Sequence, residues 1–163
     1  QCNVLTLANL AQIVNVLQAP VMTEGDLMWL TPTYYLLHMH TPHIGATAVR
    51  VDIQAGDTLP GGDAAVSATA SRTDAGLAVT ITNRSYSAGA TVRLAASPEL
   101  RTARGQLLTA DHPAAANSVA EPNRVAPSTL DIAGAGADGC GLRLPPAPAV
   151  VLTGGRVVVR TAD

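Results

Sequence analysis

Up to His43 the apolar positions come in runs, and beyond it they alternate with polar ones. Val4 to Val16, VLTLANLAQIVNV, is almost unbroken in its apolar character, which fits either a helix buried on most sides or a parallel strand followed by irregular chain. Periodicity does not separate the two. Pro20 stops a single helix from running on smoothly. Glu24-Gly25-Asp26 then supplies a turn between two short apolar runs, Pro20 to Thr23 and Leu27 to Leu30, so a small hairpin or an extended loop is expected there. Thr31 followed by Pro32 predicts a helix start, with a hydroxyl at the cap and a proline where a missing N–H costs nothing. That helix runs through TYYLLHMH and stops before Pro42.

After His43, short segments rich in Val, Thr, Ile and Leu are separated by Gly, Pro, Asp and Asn. The pattern predicts strands at Ala48 to Ile53, Ala65 to Ser71, Leu77 to Asn83, Thr91 to Ala95, Gly105 to Thr109, Cys140 to Leu144 and Ala149 to Leu152. Leu77, Val79 and Ile81 fall on one face and Ala78, Thr80 and Thr82 on the other. Asp74-Ala75-Gly76 is the natural turn between two of these strands. Short strands punctuated in this way predict a two-sheet sandwich. Asp111 to Pro127 is long, polar and proline-containing and is expected to be an ordered excursion. Ile132 to Gly139 has the composition of a flexible Gly/Ala loop, and Gly154 to Asp163 of an edge strand or a tail.

Composition narrows the range of functions. A chain of 163 residues accommodates one ordinary domain, or one domain and a piece of another, and falls short of the roughly 250 residues of an enzyme barrel. Its formal net charge is -2, and its ten basic residues, all arginine, are scattered singly from Arg50 to Arg160. No nucleic-acid partner is expected from such a distribution. Every apolar run is interrupted before the length needed to cross a bilayer, so no membrane partner is expected either. Aromatics are only 2% of the chain, and Trp29, Tyr34 and Tyr35 cluster while Tyr86 stands alone, so the core must be aliphatic. The chain opens on Gln1 rather than methionine, which is expected either if the true N-terminus has been removed or if this is a fragment of a longer chain. Cys2 and Cys140 are too far apart in sequence to define a disulfide framework, and two free thiols lean toward a reducing, cytoplasmic compartment.

No complete active site can be assembled from spacing alone. A Gly-x-Ser-x-Gly elbow is missing. His38 and His40 are two apart on the expected helix and point in different directions, whereas a helical metal site spaces its ligands four apart. With His43 they read as histidines near a helix C-terminus, where basic groups are favoured, so neither a metal nor a cofactor is expected. Gly61-Gly62 and Gly154-Gly155 lack the lysine and the following helix of a phosphate cradle. The three glutamates, Glu24, Glu99 and Glu121, all sit in turn-like settings.

Particular strings carry more than composition does. ANLAQIVNVLQAPVMTEGDLMWLTPTYYLLHMH, GQLLTADHPAAANSVAEPNRVAP and LPPAPAVVL occur in that order along the chain. Together they resemble the C-terminal portion of the α-L-arabinofuranosidases of glycoside hydrolase family 51, in which a segment of the type AN-[IL]-AQ-x-VNVLQA leads to LTEGD and then to LTPTY. The resemblance implies a mostly-β fold, a jelly-roll-like β-sandwich at residues 44–163, preceded at residues 1–43 by the last βα unit of a (β/α)8 barrel. Val4 to Ala11 would be the eighth barrel strand, buried on both faces. Gln12 would then stand at that strand's C-terminal end, where barrel enzymes keep their active-site groups. The glutamine of the family's motif lines the arabinofuranose pocket, where an amide can donate to and accept from sugar hydroxyls at once. Trp29 would either wall the pocket mouth or pack in the core.

The resemblance also implies what the chain lacks. The family's acid/base glutamate follows an asparagine and its nucleophile is a second glutamate, both on earlier barrel strands. No Asn-Glu pair occurs in this sequence, so no catalytic residue is expected here. The parent would be a retaining enzyme, a homo-oligomer, releasing terminal arabinofuranosyl groups from arabinose-containing polysaccharides or oligosaccharides such as arabinoxylan and arabinan. In the family the sandwich takes a further strand from the N-terminal end of the enzyme, so an open sheet edge is expected in this chain. The competing reading is a non-catalytic structural or carbohydrate-binding sandwich, whose hallmark is a strip of exposed aromatics on the strands. In the strand-rich part only Tyr86 is available for it.

Overall fold

The structure, a computed structural model, describes residues 5–17, 19–54, 56–74, 76–94, 104–130, 133–136, 139–146 and 149–154. Its elements in chain order are β1 (Val21–Glu24), β2 (Leu27–Leu30), α1 (Pro32–Met39), a 3-10 turn (Thr41–His43), β3 (Thr47–Val49), β4 (Val66–Thr73), β5 (Gly76–Asn83), β6 (Ala90–Leu94), β7 (Arg104–Leu108), β8 (Ser128–Leu130), β9 (Ala133–Gly136), β10 (Gly139–Leu144) and β11 (Ala149–Gly154).

Nine of the described strands form the two sheets of the sandwich, with β3 at an edge. A six-stranded sheet runs β3-β4-β5-β11-β7-β8 and a three-stranded sheet runs β6-β10-β9, with every pairing antiparallel. The two sheets bury Leu77, Val79 and Ile81 of β5 against Leu142 and Leu144 of β10, flanked by Val66, Ala68 and Ala70 of β4 and Val92 of β6. Ile81 is fully buried and Leu144 nearly so. The alternation in β5 thus gives the core face the sequence predicts.

The opposite face of β5 departs from a half-solvated sheet. Ala78 and Thr80 are each 4% exposed, because α1 and the 3-10 turn lie over this side of the six-stranded sheet. A second small core forms there from Met39, Leu108 and Val125, with Tyr35 and Ala115 against it. The molecule is therefore layered as small sheet, large sheet and helical corner. Small and hydroxyl-bearing residues on the outer face of β5 allow that close approach.

The N-terminal hairpin pairs Val21 with Leu30 and Glu24 with Leu27, and Gly25 takes the positive φ its tip requires. The helix begins at Pro32 as the Thr-Pro pair predicts. Thr31, however, makes no side-chain cap. Its Oγ1 donates instead to the Ala19 carbonyl at 2.6 Å, and its N–H donates to the Pro20 carbonyl at 3.0 Å. Thr31 ties the end of the hairpin back to its beginning.

Two expectations change. The strand predicted to reach Ile53 pairs with β4 only over Thr47–Val49, and Val51 and Ile53 beyond it stand exposed. The Gly/Ala stretch expected as a loop contains β9, which pairs with β10 at Gly139↔Gly136 and Gly141↔Ala133; small residues need no apolar pattern to join a ladder on backbone bonds alone. Of the Val4 to Ala11 segment, a barrel strand by resemblance, residues 5–11 form no ladder among the described residues. A parallel strand takes its hydrogen bonds from neighbours on both sides, and here Leu5, Leu7 and Leu10 are exposed instead. Cys2, Glu99 and the segment from Gly155 to Asp163 lie outside the described residues, as does the side chain of Cys140.

Candidate functional site

Gln12 sits where the exposed apolar run turns toward the hairpin. Its φ is +46°, in the left-handed region, and Asn15 three residues later has φ +56°. Such values are uncommon outside glycine, and asparagine tolerates them better than most. Between the two, the chain lies against β1. The Val21 N–H donates to the Ile13 carbonyl at 3.1 Å, the Asn15 N–H donates to the Val21 carbonyl at 3.1 Å, and Val14 bridges Val21 in parallel. The Gln12 side chain is exposed.

Asn15 completes this seam with its side chain. Its Oδ1 accepts the Thr23 N–H at 2.7 Å, and its Nδ2 donates to Thr23 Oγ1 at 2.8 Å. Sequence reasoning singles out neither residue; an asparagine in an apolar run gives no signal of a partner eight positions away.

Trp29 lies under the excursion between β7 and β8. Its Nε1 donates to the Asn117 carbonyl at 3.0 Å, and the side chain is half-buried. Asn117, 7% exposed, is the hub of that excursion. Its Nδ2 donates to the carbonyls of Leu30 and Val125 at 2.8 and 3.0 Å, and its Oδ1 accepts the Val125 N–H at 2.7 Å. The Tyr35 hydroxyl reaches Asn123 Oδ1 at 3.3 Å. The expected ordered excursion is thus a strap tying hairpin and helix to the large sheet.

The histidines take separate tasks. His38 stacks on Tyr34, with ring centroids 5.8 Å apart, and His40 Nδ1 donates to the Leu36 carbonyl at 2.7 Å. His43 faces the sheet, with Nδ1 2.6 Å from Ser71 Oγ and Nε2 2.8 Å from Thr80 Oγ1. Burial lowers its pKa from the ordinary value, and the charge of nearby His40 adds to the effect. Among the described residues no group of three or more His, Cys, Asp or Glu is placed to hold a metal ion, and no helix is long and apolar enough to cross a membrane.

A cavity of about 1100 Å³ opens beside β6, lined by Val51, Ile53, Leu59, Asn83 and Val92 among others. In the three-stranded sheet β6 is an edge. Tyr86, on the turn before β6, is 73% exposed. No second aromatic accompanies it in the strand-rich part of the sequence, so no stacking strip is present.

These features define an antiparallel β-sandwich with a helical corner strapped to one sheet. Residues 1–147 match the alpha-L-arabinofuranosidase C-terminal domain family, and the chain belongs to that family, the C-terminal portion of family 51 arabinofuranosidases. It is 34% identical over 134 residues to an intracellular exo-alpha-L-arabinofuranosidase of Bacteroides ovatus, a match covering 76% of this chain and 25% of that protein. The family 51 arabinofuranosidase of Xanthomonas axonopodis pv. citri superimposes with a TM-score of 0.75 at 35% identity, over 88% of this chain and 30% of that one. A family 51 enzyme from Bifidobacterium longum shares the fold, with a TM-score of 0.73 at 24% identity over 94% of this chain and 31% of its own. The chain thus spans about a quarter to a third of the length of these relatives.

Proposed function

We propose that this chain is the C-terminal part of a retaining α-L-arabinofuranosidase that removes terminal non-reducing arabinofuranosyl groups from arabinoxylan, arabinan or their oligosaccharides. In this reading residues 1–43 are the last strand, loop and helix of the catalytic barrel, residues 44–163 are the accessory sandwich, and Gln12 contributes its amide to the sugar pocket. The two catalytic carboxylates belong to the part of the enzyme outside this chain.

The observation that carries the proposal is the match to the Bacteroides ovatus exo-enzyme. The exposed apolar positions Leu5, Leu7, Leu10 and Ile13 support it, since a strand flanked by others in a parallel barrel needs apolar residues on both faces. So does the place of β6 at an edge of the three-stranded sheet among the described residues, where a further strand could add.

Double displacement at an anomeric carbon needs two carboxyl groups about 5–5.5 Å apart, and the isolated chain is expected to release no p-nitrophenol from p-nitrophenyl α-L-arabinofuranoside. The same chain joined to its upstream barrel is expected to do so. Turnover by the purified 163-residue chain would overturn the division of labour proposed here.

A further inference from the structure

Resting on the assignment of Gln12 to the sugar pocket, we infer that Asn15 is the residue that positions it. Gln12 is exposed and its amide makes no hydrogen bond to the described residues, which leaves it free for a ligand. Its direction must therefore be set by the backbone. The backbone at that point is unusual: a left-handed residue at Gln12 and another at Asn15 turn the chain out of the apolar run and lay Ile13 to Asn15 along β1.

Four hydrogen bonds hold that seam, and Asn15 supplies three of them. One is its own N–H to the Val21 carbonyl. The other two come from its side chain, which accepts from the Thr23 N–H and donates to the Thr23 hydroxyl. The amide thus stands where a further backbone rung would have been and extends the seam by one step. Two properties make asparagine suited to this: it tolerates the left-handed conformation, and a single side chain offers both a donor and an acceptor. Released from Thr23, the turn loses its tie to β1, and Gln12 at its head loses its fixed approach to a sugar hydroxyl. A small misplacement of a binding group is expensive, since about 1 Å can cost on the order of 100-fold in rate.

The test uses the enzyme that carries this chain with its barrel, and p-nitrophenyl α-L-arabinofuranoside as substrate. Asn15→Ala is expected to lower kcat/KM by about 10- to 100-fold. Asn15→Asp is expected to recover most of the loss, because a carboxylate still accepts from the Thr23 N–H and hydroxyl and aspartate also tolerates the left-handed region. In a Gln12→Ala background the effect of Asn15→Ala is expected to shrink to less than about twofold, the mark of two residues acting as one unit. Asn15→Gly, which keeps the backbone conformation and removes only the clamp, stands in if Asn15→Ala yields no folded enzyme. Unchanged kcat/KM in Asn15→Ala, or an equal loss with and without Gln12, would sink the inference while leaving the role of Gln12 intact. Unchanged kcat/KM in Gln12→Ala would instead remove the role of Gln12, and the inference with it.

Discussion

Nε2 of His43 lies 2.8 Å from Oγ1 of Thr80, and that contact joins the helical corner to the central strand of the large sheet. With Nδ1 held by Ser71 at 2.6 Å, the imidazole sits between two hydroxyls that each can donate or accept. A neutral ring with one N–H and one lone pair satisfies both. A protonated ring would place a charge at a partly buried seam, next to His40.

The sign of the pH effect follows. The folded pKa of His43 is lowered, by burial first and by His40 second, so the unfolded chain binds the proton more readily. The contribution is fully present above the ordinary histidine pKa of about 6.5 and is lost as pH falls through the lowered value. Urea midpoints are expected to drop between pH 7.5 and 5, and His43→Gln is expected to flatten that part of the profile. An identical profile in the variant would show that the seam does not titrate.

Ile81 tests the sandwich core. It is 0% exposed and packs with Leu77, Val79, Leu142 and Leu144. Ile81→Ala is expected to cost about 2–5 kcal/mol and Ile81→Val about 0.5–1.5 kcal/mol. Equilibrium denaturation of the two variants should rank them in that order.

The sequence carried most strands of the two sheets because their apolar positions alternate, and the helix because Thr31-Pro32 fixes its start. It did not carry β9, whose Gly/Ala sequence has no alternation to read, or β8, which is only three residues long. The third layer was half legible. The polarity of Asp111 to Pro127 marked an excursion, but only the folded chain places Asn117 under Leu30, 87 residues away. The candidate site was legible by resemblance alone: nothing in the pattern distinguishes Gln12 from a surface glutamine, and Asn15 is identified only once Thr23 is seen beside it.

The ion pair Arg50–Asp52 is a test in the opposite direction. Its atoms are 2.9 Å apart, yet the side chains are 85% and 63% exposed. A pair so open to solvent and salt contributes little, and Arg50→Ala is expected to move the denaturation midpoint by less than the error of a standard measurement. A clear loss would mean that Arg50 is holding the segment after β3 in place.

Asn117 is the polar side chain on which the strap most depends, and its two possible losses differ in kind. Asn117→Ala removes three hydrogen bonds and leaves the buried Val125 N–H unpaired, at an expected cost of about 1–3 kcal/mol. Asn117→Asp keeps the acceptor for that N–H but turns the donor facing the Leu30 and Val125 carbonyls into a second oxygen. Near neutral pH a carboxylate there opposes two carbonyls in a buried site, so the aspartate variant is expected to be the less stable of the two. Acidification should narrow the gap as the carboxyl regains a proton to donate. Trp29 is the single tryptophan of the chain and donates to the Asn117 carbonyl, so its emission reports whether the strap is seated. A red shift in both variants, larger for aspartate at pH 7 and reduced on acidification, is the expected pattern. A larger shift for alanine would show that the N–H of Val125, rather than the two carbonyls, governs the site.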